Sequence, residues 1–298
     1  MIIIKLWGGT CNQMFQYAFG YALSKKTGDK LAFETEFYSS QPSYVGKRCV
    51  ISTEDFALTK LNFCRRPKVV NLYENKIINK MLRFITGCNL RITKDLKIII
   101  ERHLHYYEKV PHATGCTNYY DGYWQSGHYF SEFRNEIIKE FKPTQDIVKS
   151  VDAWRSTIPS KNAVAVHIRR GDYQNKVNRL NTAFYKIQND ASYYLRAMKY
   201  LEEKLDNPVF CIFSDDISWC KSLFENQFQN IEYVENKGNK AAMLDLFSIS
   251  RCNHGIMSPS SFSWWGNWLR QDSDNSIVIC PKGVIGNERF ADDHWLIM

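Results

Sequence analysis

The stretch AVAVHIRRGDYQNK, Ala163 to Lys176, carries an apolar, β-branched run straight into His167, Arg169, Arg170 and Asp172. Such a run reads as a buried strand, so the polar groups would project from its carboxyl end. A guanidinium is a planar fork of donors matched to phosphate oxygens, and each charge-assisted hydrogen bond is worth roughly 1.5–3 kcal/mol. Two in succession at a strand end suit a diphosphate. From residue types alone, the alternative is a surface pair with one arginine bonded to Asp172.

Three further groups have chemistry to offer. In SPSSFSWWGNWL, Ser258 to Leu269, a strand ends in hydroxyl residues and a helix begins. Ser260 or Ser261 would cap that helix, and the N–H groups of its first turn form an anion site, while Trp264, Trp265 and Trp268 suit a core. In FSDDISWC, Asp215 and Asp216 follow another apolar run. Carboxylates there accept hydrogen bonds from guanine or sugar hydroxyls, cap the next helix, or bind a metal. In WGGTCNQMFQYA, Gly8 and Gly9 permit a tight strand-to-helix turn, with Asn12 and Gln13 opening the helix. Neither a G-x-G-x-x-G fingerprint nor a Walker loop is present. The triplet Asp272-Ser273-Asp274 has the Asp-x-Asp form of a metal-dependent transferase, yet its setting, RQDSDNS, reads as a turn.

The elements that must hold these groups alternate. MIIIKLW, LAFETEF, NYYDGYW, NAVAVHI, PVFCIFS, NIEYVE, HGIMS and SIVICP are strand candidates, separated by helix-length amphipathic segments. That rhythm predicts an α/β protein, and ligands of such sheets lie beyond the carboxyl ends of the strands. Pro143 and Pro159 bracket a short helical connector, which predicts two α/β domains, 1–150 and 151–298, with a cleft between them. At 298 residues and 44% hydrophobic content the chain can bury a real core. Nine scattered cysteines without a C-x-x-C pair read as reduced thiols, neither zinc site nor disulfide framework. MIIIKLW has no basic leader and no apolar stretch reaches the ~18 residues of a membrane span, so a cytoplasmic protein is expected.

In order and wording, GGTCNQMFQYA, DGYWQSGHYF, HIRRGDY, FSDDISWC and SPSSFSWWGNWL resemble the bacterial alpha-1,2-fucosyltransferases, from Gly8 to nearly the C-terminus. The resemblance implies two facing Rossmann-like domains of the GT-B type, an acceptor-side N-terminal domain and a C-terminal domain holding GDP-L-fucose. It implies transfer of fucose, with inversion, to the 2-hydroxyl of a galactoside in glycan, O-antigen or capsule synthesis. Arg169 matches the arginine at the donor β-phosphate, and His167, Arg170 and Asp172 share its motif. Asp215 or Asp216 matches the carboxylate near guanine, and Ser260 and Ser261 match hydroxyls at the pyrophosphate. Phe262, Gly9, Asn12 and Gln13 complete the expected nucleotide-sugar contacts. Thr10-Cys11 replaces the usual Leu-Gly, and Pro259 stands where asparagine is frequent. No cofactor and no divalent metal are expected, since arginines and serines already serve the diphosphate. Asp172 and Glu34, with Glu36 beside it, are candidates for the base an inverting displacement needs. A noncatalytic glycan or nucleotide-sugar binder, and a metal-dependent transferase using Asp272 and Asp274, are the alternatives.

The net charge of +8 is concentrated: Lys60 to Lys109 holds twelve Lys or Arg against four Asp or Glu. No nucleic-acid-binding pattern accompanies it. Within KIINKMLRFIT, Ile77, Ile78, Met81, Leu82 and Ile85 recur at helical spacing between Lys76, Lys80 and Arg83. This predicts either a core-facing helix or a peripheral contact with an anionic membrane.

Overall fold

The computed structural model describes residues 1–39, 50–54, 56–68, 70, 89–101, 106–170, 191–270, 275–282 and 290–298. Two units divide the chain, Met1–Lys142 and Pro143–Met298, and each is built on a six-stranded sheet. The boundary falls at Lys142/Pro143, where 150/151 was expected. The connector, α4 (Gln145–Thr157), packs against the second unit's own helix α7 (Ala241–Arg251). Arg155 on α4 donates to the carbonyls of Arg251 (3.3 Å), Ile158 and Ser160 (both 3.1 Å).

In the first unit β1 (Ile2–Lys5) leads through α1 (Thr10–Thr27) to β2 (Leu31–Glu34), α2 (Glu36–Ser39) and β3 (Phe63–Cys64). β4 (Asn89–Thr93), β5 (Leu96–Ile100), β6 (Thr117–Asp121) and α3 (Arg134–Glu140) follow. The strand order is β3-β2-β1-β6-β5-β4, parallel except for the antiparallel edge pair β4/β5. β4 and β5 occupy the basic stretch, where charge had hidden the strand pattern; LKIII of β5 supplies Leu96, Ile98 and Ile100 to the core with Ile3 and Tyr119.

The second unit holds β7 (Ala163–Ile168), α5 (Ala191–Lys204), β8 (Val209–Ser214), α6 (Ile217–Phe224) and β9 (Ile231–Val234). After α7 come β10 (His254–Ile256), α8 (Ser261–Trp268), β11 (Val278–Cys280) and β12 (Leu296–Ile297). All its strands run parallel, in the order β12-β11-β10-β7-β8-β9. From β7 the chain winds outward to β9, then crosses back to begin β10 on the other side of β7. Connections therefore part at the β7/β10 seam, the topological switch point of the sheet.

Period-2 alternation explains how β7 seats a histidine. Val164, Val166 and Ile168 face α5 and α6, against Tyr194, Met198 and Phe224. Ala163 and Ala165 face the other way, toward Ile249 of α7 and Cys252. His167 shares this second, small-residue side. Among the described residues no helix is long and apolar enough to cross a membrane, and seven cysteines, Cys11, Cys64, Cys116, Cys211, Cys220, Cys252 and Cys280, are free thiols. Ile77 to Ile85, with Lys76, Lys80 and Arg83, lie outside the described residues.

α8 lies hard against β10. Asn267 Oδ1 accepts from Arg270 (3.1 Å), and Arg270, 2% exposed, also donates to the carbonyls of Cys252 (2.6 Å) and His254 (2.9 Å). A Cβ on Gly255 would stand 1.8 Å from Asn267 Oδ1. Gly255→Ala should therefore cost about 1–3 kcal/mol, the usual penalty of overpacking. An unchanged urea midpoint would show that α8 can withdraw freely.

Candidate active site

The carboxyl ends of β7 and β10 meet at the switch point of the second unit. His167 Nδ1 and Ser258 Oγ share a hydrogen bond of 3.0 Å across that seam, and the imidazole lies 5.1 Å from the ring of Phe262 on α8. Burial, with the charge of Arg169 adding to it, pushes the His167 pKa down to about 3. The ring is neutral under ordinary conditions and serves as a fixed dipole, not as a proton carrier. Arg169, two residues on, is half-buried at the strand tip. Beyond Ser258, Ser260 caps α8, its Oγ accepting from the N–H of Phe262 at 3.2 Å. Ser261 opens the helix half-exposed. First-turn N–H groups of a helix have no carbonyl partner within it, and the macrodipole gives that end a partial positive charge. One seam thus gathers His167, Arg169, Ser260, Ser261 and Phe262. Ser258 had been passed over, although it opens the same motif.

Arg170 and the two aspartates are engaged with one another. The Arg170 N–H donates to Asp215 Oδ1 at 2.7 Å, its guanidinium stacks 4.0 Å over the ring of Trp219, and its Nη1 lies 3.6 Å from Asp216 Oδ2. Asp216 caps α6, accepting from the N–H of Trp219 at 3.1 Å. Capping, one of the three roles open to these carboxylates, is the one Asp216 displays. Arg170 Nε and Nη1 are buried without a hydrogen-bond acceptor, a state a bound anion would relieve. Asp172, Asp272 and Asp274 lie outside the described residues. Among the described residues no three His, Cys, Asp or Glu side chains gather as metal ligands.

Sheet order reverses in the first unit too, between β1 and β6, and there WGGTCNQ meets DGYWQ. Asn12 Oδ1 accepts from Gln125 Nε2 at 2.9 Å. Gln13, expected at the nucleotide sugar, is fully buried; its Oε1 accepts from the Ile51 N–H at 2.9 Å and its Nε2 donates to the Gly8 carbonyl. It is a loop-pinning residue. Gly9 is the N-cap of α1, with Thr10 the first helical residue, so Thr10-Cys11 is accommodated as an ordinary first turn. The left-handed turn falls on Gly8 (φ +82°) instead.

Glu34 is corrected from base to structural anchor. It is 0% exposed, and its Oε1 accepts from Arg66 Nη2 (3.1 Å) and the Glu36 N–H (2.5 Å), its Oε2 from the Tyr119 hydroxyl (2.7 Å). No lone pair remains directed at solvent. Beside it on the same rung, Lys5 pairs with Asp121 at 3.3 Å.

Two successive Rossmann-type sheets, the second with cationic and helix N-terminal groups at its switch point, give the chain a fold of the GT-B type. Its fold matches that of the NodZ alpha-1,6-fucosyltransferase soaked with GDP-fucose, with a TM-score of 0.54 at 13% identity over 90% of this chain and 91% of that one. Residues 1–296 match Glycosyl transferase family 11, and the chain belongs to that family. It is 31% identical over 292 residues to the alpha-1,2-colitosyltransferase of Escherichia coli, covering 94% of this chain and 91% of that protein. The galactoside 2-alpha-L-fucosyltransferase Sec1 of Mus musculus is 25% identical over 167 residues, 54% of this chain and 45% of that one.

The depressed His167 has a consequence for stability. Between pH ~6.5 and ~3 the unfolded chain binds a proton at this histidine that the folded chain refuses, so stability falls as pH falls through that window. His254, pushed to about 4 by its burial and then by Arg270, acts in the same sense. His167→Gln should flatten the acid limb of the urea midpoint between pH 6.5 and 4, leaving the His254 part of the slope. An acid limb identical to wild type would mean that His167 titrates normally.

Proposed function

We propose that this chain transfers L-fucose from GDP-β-L-fucose, with inversion, to the 2-hydroxyl of a galactoside in the synthesis of a surface glycan. The observation carrying this reading is the convergence of Arg169 and the first turn of α8 on one switch-point seam. As the fucose–phosphate bond breaks, negative charge grows on the departing diphosphate. Prepositioned donors stabilise that charge without reorganising, and removing one such donor typically costs ~10²–10³ in turnover, about 2.7–4 kcal/mol. The neutral His167 keeps Ser258 and the strand tip in register without adding a titrating charge. Because arginine and helix N–H groups supply the positive potential, the chemistry proposed needs no divalent metal. The reading includes action in the cytoplasm, at or near the inner face of the membrane, for which the basic stretch 60–109 offers the electrostatic attraction.

A second donor has support from the colitosyltransferase relative. Colitose is L-fucose without its 3-hydroxyl, so the two GDP-sugars present the same diphosphate to Arg169 and differ only on the sugar ring. Competition between GDP-fucose and GDP-colitose, read as the ratio of kcat/KM values, separates them.

Three outcomes are expected. Incubation with GDP-fucose and a panel of galactosides yields an alpha-1,2-linked product by NMR; binding without any product would leave only a noncatalytic binder. Arg169→Ala lowers turnover by ~10²-fold or more, and Arg169→Lys restores it in part, a point charge replacing a fork; near-wild-type turnover in folded Arg169→Ala removes the assignment. EDTA leaves transfer intact, whereas loss of activity restored by magnesium or manganese would require a metal.

A further inference from the structure

Among the described residues of the first unit, the turn after β6, DGYWQ, holds the one non-glycine residue with a positive φ. Trp124 adopts φ +56°, a left-handed conformation that bulky side chains rarely accept. It is held there by Glu101, 3% exposed, whose Oε1 accepts the Trp124 N–H (3.1 Å) and whose Oε2 accepts the Tyr123 N–H (2.6 Å). The Trp124 indole is fully buried and stacks on Phe19 at 4.3 Å. Strained backbone that its surroundings overdetermine recurs at ligand clamps.

Tyr123, one residue earlier, is half-exposed and stacks on Trp7 at 3.9 Å and 27°. Trp7 is itself pinned: its backbone N–H donates to Gln16 Oε1 (3.0 Å) and its Nε1 to the Gly122 carbonyl (3.2 Å). Phe37, 6.1 Å from Trp7, and Tyr38, 5.3 Å from Phe37, continue the cluster, and the Tyr38 hydroxyl donates to the Gly8 carbonyl at 2.7 Å. By contrast Phe15, Tyr17, Phe19, Phe33, Tyr119 and Tyr120 of the same unit are all within 2% of full burial. Trp7, Phe37, Tyr38 and Tyr123 form a contiguous half-exposed group near the β1/β6 switch point, with the Asn12–Gln125 amide pair close by.

We propose that Trp7, Phe37 and Tyr123 are the platform on which a sugar ring of the acceptor packs, with the Asn12–Gln125 pair as its hydrogen-bonding rim. The inference rests on the fucosyl-transfer reading and names what receives the sugar. A galactopyranose has an axial 4-hydroxyl, so its C3, C4 and C5 hydrogens share one apolar face, while its hydroxyls line the perimeter. Flat rings with polar edges match that division, and switch-point sites combine apolar lining with a few convergent polar groups. The double pinning of Trp7 and Tyr123 means little ordering remains to be done on binding.

The test uses the full chain with methyl β-D-galactoside as acceptor. Tyr123→Ala, at a half-exposed position, should raise the acceptor KM tenfold or more while the GDP-fucose KM stays within twofold, and Tyr123→Phe and Trp7→Phe should retain most of the wild-type acceptor KM. Saturation-transfer NMR should show H3, H4 and H5 of the galactoside saturated by wild type and not by Tyr123→Ala. An unchanged acceptor KM in folded Tyr123→Ala, or a rise confined to the donor KM, overturns the platform. A wild-type protein that consumes no GDP-sugar but still saturates H3 to H5 in a Tyr123-dependent way would instead overturn the transfer reading and keep the platform.

Discussion

The hydrogen bond between His167 and Ser258 spans the seam at which the connections of the second sheet part, and the rest of that unit is arranged around it. β7 reaches the seam because small side chains, Ala163 and Ala165, clear one of its faces while Val164, Val166 and Ile168 fill the other. β10 reaches it because Gly255 lets α8 come close and Arg270 ties the far end of that helix to the carbonyls preceding it. Trp264 and Trp268, stacked at 5.5 Å, anchor α8 from beneath, with Trp264 Nε1 donating to the Phe290 carbonyl at 2.6 Å. The helix cannot tilt without disturbing these contacts, so its amino end stays directed at the strand tips.

The first unit solves the same problem with charge. Along the last rung of its sheet stand Glu34, Lys5 and Asp121, buried and alternating in sign, with Arg66 closing the row. Removing a single member of such a row strands a buried charge, which makes the rung intolerant of piecemeal change. Above it, Gln16 bonds both Trp7 and the Gly122 carbonyl, so the two strand ends on either side of the reversal are fastened by one side chain.

Much of this was legible in the residues because the signals were local. An apolar run ending in charged groups marks a strand tip whatever the rest of the chain does, so β7 and β8 and the start of α8 were readable. Side-chain roles that depend on partners distant in sequence were not. Glu34 looks like an available carboxylate until Arg66 and Tyr119 are brought to it from other strands. Asp216 offers capping and ligand binding equally until Trp219 stacks under Arg170 and draws both into one cluster. β4 and β5 were obscured because Arg91, Lys94 and Lys97 interrupt the apolar pattern at the sheet edge, where charge is tolerated. The domain boundary shifted because α4 owes its place to Arg155 and α7, contacts no linker composition reveals.

The sheet edges bear on what happens when many copies are made at once. β3 and β12 are two residues each, and Phe63, Leu296 and Ile297 are exposed on them. A longer apolar edge would template pairing between molecules; two residues provide too few backbone groups for a stable added strand. At the opposite border of the first sheet, β4 runs against the direction of its neighbours and carries Arg91. Brevity at β3 and β12 and an arginine on β4 make these edges poor templates for an added strand.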